Sequence, residues 1–172
     1  EQFAEIRNAY VAHIERMLNL AGVEDAADRA ARVMRLETEI AAKHWDTVAS
    51  RDIQKLYNLR TFAQLEELTP QFSWHTYLTQ MGIKVEDFAE VVVGMPDAIA
   101  GLFELLTEER LADWQAWLAW RIIAGSAALL SQDIARANFD FYGTTLTGTP
   151  EQRERWKRAV SFVEGAMGEA VG

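Results

Sequence analysis

SQDIARANFDFYGTTLTGTPEQRERWKRAVSFVEGAMGEAVG, residues 131–172, holds the densest helix punctuation in the chain. Ser131 opens a helical pattern that carries Ile134, Ala135, Asn138, Phe139 and Tyr142, and Gly143, Gly148 and Pro150 then interrupt it. Thr149 has the surroundings of an N-cap: Pro150 stands at the first helical position, Glu151 in the first turn, and Gln152 three residues after the cap to close a capping box. A final helix is therefore expected from Pro150, with Trp156, Val160, Val163 and Met167 along it.

Upstream, Thr107 is expected to cap a long helix through Leu111, Trp114, Trp117, Leu118, Trp120, Ile122 and Ile123. Leu111, Trp114, Leu118 and Ile122 form one stripe, and Trp117 and Trp120 broaden it until little polar face remains. Such a helix is expected to be enclosed at the centre of the core. Before it, Pro96 and Asp97 open a helix with Ile99, Leu102, Phe103 and Leu106. The three valines of residues 91–93 favour an extended conformation, and the fold has room for at most one such short segment, near 90–93.

The first third is helical by the same rules. Phe3, Ile6, Tyr10, Ile14, Met17 and Leu18 recur on one helical face up to Gly22, a left-handed cap. A second helix follows from about Glu24 to about Trp45, with Val33, Leu36 and Ile40 on its apolar side and Glu39 and Lys43 spaced as an i,i+4 ion pair. Thr61 and Gln64 make a capping box for a short helix that ends before Pro70, and Ser73 caps another that Gly82 stops. Neither repeat nor linker divides these segments, so the expected fold is all-α: a single compact multi-helical domain over residues 1–172.

Composition narrows the function. With 26 acidic against 17 basic residues and a formal charge of −9, the chain lacks the basic face that nucleic acid or an anionic membrane requires, and peptide-type partners fit better. The apolar stretch from Trp114 to Leu130 contains Gln115, Arg121, Gly125 and Ser126, which suits a core helix and not a membrane span of about 20 apolar residues. There is no cysteine, hence neither a disulfide framework nor a thiolate metal site. The chain opens on Glu1 and closes on Gly172 straight after an apolar pattern, so both ends are expected to be cut from something longer.

No catalytic, metal-ligating or substrate-binding residue is assigned. His13, His44 and His75 are scattered, and no HExxH string places two imidazoles and a glutamate on one helical face. The carboxylate pairs Glu66/Glu67, Glu86/Asp87 and Glu108/Glu109 fall at helix starts or on polar faces, where solvated charge is the ordinary explanation. Gly165, Gly168 and Gly172 lack the strand before and helix after that a phosphate loop needs, and are expected to serve close helix packing or a chain reversal. Arg153, Arg155, Lys157 and Arg158 form the only basic cluster, a candidate for docking a peptide carboxylate or a neighbouring domain.

The strings YVAHI with ML at residues 17–18, LETEIAAKHW, RDIQKLYN, FSWHTYL, FDFYG, LTGT, RWKRAV and VEGAMGEAVG, in that order, resemble the N-terminal helical region of the neprilysin-like zinc metallopeptidases, family M13. The resemblance spans nearly the whole chain and implies a parent enzyme that hydrolyses oligopeptides. It implies too that residues 1–172 are a non-catalytic, chamber-forming portion that restricts substrate size, facing a catalytic zinc domain outside this chain. The zinc would then belong to the parent and none to this segment. The implied partners are that catalytic domain and oligopeptide substrates, with no membrane contact by the segment, which is inactive alone. Lack of cysteine suggests a bacterial relative, and the resemblance implies secretion or attachment at the cell envelope. The rival expectation is a free-standing helical interaction module without activity.

Overall fold

Glycines and short polar side chains set several helix ends. The computed structural model describes residues 2–171. Helix α1 runs Gln2–Leu20 and is closed by Gly22 at φ +72°, a conformation that costs glycine little. There the amide of Gly22 donates to the carbonyl of Asn19 and that of Val23 to Leu18, both at 3.0 Å, satisfying carbonyls that the helix leaves open. Helix α2 is Ala26–Lys43, and a short α3, Ile53–Leu56, follows under an Asp52 cap.

Strand β1, Leu59–Thr61, leads directly into α4, Phe62–Leu68. The Thr61 hydroxyl accepts from the Gln64 amide at 3.3 Å while the Gln64 side chain accepts from the Thr61 amide at 3.0 Å, the expected reciprocal box. Helix α5, Trp74–Gln80, begins at the Ser73 cap and ends at Gly82, with the amide of Ile83 donating to Leu78 as at the end of α1. Strand β2, Glu90–Val92, then pairs antiparallel with β1, placing Leu59 opposite Val92 and Thr61 opposite Glu90. The extended segment near 90–93 is thus present, and residues 59–61 supply a partner strand that local sequence did not mark.

Helix α6, Pro96–Phe103, starts with proline in its first turn, and α7, Leu111–Ser126, follows a turn of 3-10 helix at Glu108–Arg110. Thr107 precedes that turn but makes no side-chain cap bond, and α7 continues from the turn. Helix α8, Gln132–Phe139, runs into a π-helical turn, Asp140–Thr145, and α9 is Arg155–Val171.

The start of α9 corrects the expectation at Thr149. Its amide donates back to the Gly143 carbonyl at 2.9 Å, its carbonyl accepts from the Thr144 hydroxyl, and its own hydroxyl pairs with Thr147. Gln152 reaches away to the Ala135 carbonyl at 3.1 Å, so the box never closes and the helix begins five residues later than a Pro150 start, at Arg155. Tertiary bonds to α8 and the π-turn outcompete the local cap.

The chain divides into two compact units: residues up to 34 with those from 115 onward, and residues 35–114. In the first, Ile14, Met17 and Leu18 of α1 pack with Ala30 and Val33 of α2, Trp120 of α7 and Ile134 and Ala137 of α8. Trp120 is fully buried and its indole donates to the Tyr10 hydroxyl at 3.0 Å, so the polar edge of the ring is satisfied inside the core. At about 25 cal/mol per Å², burying a tryptophan of ~150–250 Å² contributes on the order of 4–6 kcal/mol.

In the second unit Leu36, Leu65, Leu78, Val93 and Leu105 are buried, and Phe72, Trp74 and Phe103 meet ring to ring at 4.8–5.7 Å between centroids. The buried Thr69 hydroxyl donates to the Leu65 carbonyl and accepts the Trp74 indole N–H at 2.8 Å. Three ion pairs join the second half of α2 to residues 104–113: Arg35 with Asp113, Glu39 with Arg110, and Lys43 with Glu104. Glu39 and Lys43 therefore do not form the i,i+4 pair expected of them; each has a partner of opposite charge on the facing segment.

The long helix α7 is not enclosed. Ala116 and Trp120 point into the core and Asp113 is buried, but Leu111, Leu118 and Ile122 are 58%, 55% and 59% exposed along the opposite side. Trp114 is half-buried and donates to the Leu105 carbonyl at 2.8 Å. Among the described residues no helix is long and apolar enough to cross a membrane.

Candidate functional site

The chemistry-bearing side chains are dispersed. His44 lies just past the end of α2 and His75 in α5, both exposed. His13 is different, being 5% exposed on α1 with its ring stacked on Phe141 at 4.8 Å and edge-on to Trp120 and Tyr142 at 5.4 and 5.5 Å. Its Nε2 is shut from solvent and has no hydrogen-bond partner. Burial, with a smaller contribution from the nearby Arg16 charge and against the pull of Asp140, takes the imidazole pKa down to about 4.

Among the described residues no three histidine, aspartate or glutamate side chains converge so as to hold a metal ion. Glu66, Glu67, Glu86, Asp87, Glu108 and Glu109 are all exposed. The Thr107 hydroxyl and a backbone amide hold the Glu109 carboxyl below its ordinary range, as the amides of Ala49 and Val48 do for Asp46. Such shifts come from helix-start and turn hydrogen bonds and need no catalytic role.

The basic cluster does not form one patch. Lys157 pairs with Glu154 at 3.0 Å and lies over the Trp156 ring, while Arg153 donates to the Ser161 hydroxyl at 3.3 Å. Arg158 turns toward Asn138, Phe139 and Tyr142, where these side chains line a cleft of about 320 Å³. Arg158 Nε and Asn138 Oδ1 are both sealed from solvent without a partner, a detail with no sequence signature. A Cβ at Gly165 would meet nothing within 4 Å, and one at Gly168 only the Glu164 side chain, so neither glycine serves close packing among the described residues.

What the chain offers in quantity is uncovered apolar helix surface. On α9, Trp156, Val160, Val163 and Met167 follow one another at spacings of three and four and are 62%, 58%, 46% and 54% exposed. On α7, Leu111, Leu118 and Ile122 are large apolar side chains that the sequence placed in a core and the structure leaves at the surface. A helix nonpolar on most sides hides which side faces out, and only the three-dimensional packing could have separated them.

The sequence model of peptidase family M13 matches residues 1–172. Mouse (Mus musculus) neprilysin is 30% identical over 151 residues, 82% of this chain and 20% of the relative, and neprilysin-2 of Drosophila melanogaster is 28% identical over 94% of this chain and 21% of its own length. The chain thus spans about a fifth of the curated relatives it matches. Among solved structures, zinc metalloprotease ZMP1 of Mycobacterium tuberculosis in its open state is 41% identical, with a TM-score of 0.93 over 99% of this chain and 27% of that one. The same protease in complex with an inhibitor gives 0.91 at 41% identity, over 99% of this chain and 26% of that one. With a family match along its whole length and this backbone likeness, the chain belongs to peptidase family M13, as its N-terminal helical region.

Proposed function

We propose that this chain is a non-catalytic, chamber-forming part of a zinc metalloendopeptidase that hydrolyses oligopeptides, and that its helices limit the size of substrate the parent admits. The observation that carries this is the likeness of the whole chain, at TM-score 0.93, to a solved zinc metalloprotease. Zinc does not fit the residues present: His13 is sealed among aromatic rings, and among the described residues no ligand set converges on a metal position. The ion and the catalytic residues are accordingly assigned to a part of the parent outside this chain, and this segment supplies no proton transfer of its own.

The uncovered faces of α7 and α9 support the same proposal, because contiguous apolar surface marks an interaction site. The partner is the parent's catalytic domain. The greater identity to the mycobacterial protein than to the animal ones favours a bacterial parent, with secretion or envelope attachment the corresponding location.

The test uses the full-length parent. A quenched-fluorescent peptide of about ten residues should be cut, while the same sequence displayed in a surface loop of a stably folded protein should not be. Comparable kcat/KM for the two would remove the size-restricting role.

A further inference from the structure

We infer that His13, the π-helical turn and Trp120 form a proton-sensitive latch: uptake of a proton by His13 requires the contact between α1 and residues 140–145 to open. The imidazole is held between Phe141 and Tyr142 of the turn and Trp120 of α7, with Nε2 closed to water and bonded to nothing. In this box the neutral ring is accommodated as an aromatic disc. A proton on both nitrogens would create a buried charge with no hydrogen-bond acceptor at Nε2.

The surrounding groups determine how the latch responds. On α1 itself Arg16 stands one turn beyond His13, and Tyr10 accepts the Trp120 indole N–H. From the turn, Asp140 faces it together with Tyr142, and Asp140 is already engaged by Arg16 at 2.9 Å and by Arg136 of α8 at 3.2 Å. Helix α7 presents Trp120. The nearest carboxylate is therefore committed to two guanidinium groups and leaves the imidazolium poorly compensated.

The turn is the natural element to give way. A π-helical turn is a wide, uncommon insertion, and here it has no room for a side chain at Gly143, where a Cβ would lie 2.4 Å from the Phe139 ring. Opening it exposes His13 and frees the turn's hold on the loop before α9.

The sign follows from the imidazole's lowered pKa. The unfolded histidine binds a proton near 6.5 and the folded one only near 4, so the unfolded or opened state holds more protons between these values. The His13 contribution is thus intact well above pH 6.5; the first pH unit below 6.5 lowers the closed-to-open ratio about fivefold, and the fall continues until the folded imidazole itself titrates.

Two measurements on the protein test this together. The first is a pH titration of the His13 imidazole by NMR, expected to show it neutral at pH 5.5. The second is amide hydrogen exchange at residues 140–145, corrected for the intrinsic pH dependence of exchange. Protection there should fall about fivefold between pH 6.5 and 5.5 in the unaltered protein and stay level in His13→Phe. His13→Leu, smaller and equally uncharged, provides a second control should phenylalanine not fit. An imidazole titrating near 6.5 without loss of protection, or an equal acid response in the histidine-free variants, would overturn the latch.

Discussion

Trp120 and Leu118 sit two residues apart on α7 and are expected to behave oppositely. Trp120 is fully enclosed and hydrogen-bonded to Tyr10, so Trp120→Ala removes a large buried ring, at a cost of about 3–5 kcal/mol. Leu118 is 55% exposed, and Leu118→Ala should stay within about 0.5 kcal/mol. Chemical denaturation of the two variants measures both. Trp114, bonded to the Leu105 carbonyl and half-buried, falls between them. Sequence periodicity put all of these in one core because α7 is apolar on nearly every side and carries no polar stripe to mark solvent. His13 was equally opaque, since nothing near it in sequence announces that Phe141 and Tyr142 close over it.

Helix boundaries divide into those fixed locally and those fixed by distant contacts. At Thr61 the capping box involves only Thr61 and Gln64, so it was legible in the sequence, and Thr61→Ala should cost about 0.5–2 kcal/mol of thermal or denaturant stability. Thr149 carries an equally good local signal, but Gly143, Thr144 and Thr147 take its backbone and hydroxyl and Ala135 takes Gln152. Thr149→Ala is accordingly expected to leave the helix content of α9 unchanged, as read by residue-resolved amide exchange of residues 155–171. The π-turn rests on a contact that is also local, with Phe139 lying against the bare backbone of Gly143 four residues on. Gly143→Ala should destabilise by about 1–3 kcal/mol through overpacking, and Phe139→Leu in the same chain should recover part of that loss. Strand β1 went unread for a related reason, because its three residues are all exposed and acquire strand geometry only by pairing with β2.

At the scale of the molecule, the all-α class followed from period and punctuation, whereas nothing in the residue pattern gave the chemistry. The family strings pointed to M13, and the match over residues 1–172 with the backbone likeness to ZMP1 established the family. The three histidines are scattered in the sequence, and among the described residues no three histidine, aspartate or glutamate side chains converge so as to hold a metal ion. The chain's conspicuous feature, apolar surface on α7 and α9, suits contact with more protein. The most direct measurement is the zinc content and peptide turnover of the 172-residue chain by itself, with zinc supplied. The account predicts no stoichiometrically retained metal and no cleavage of an oligopeptide that the full-length parent cuts. One tightly held zinc per chain, or turnover abolished by a chelator, would contradict it.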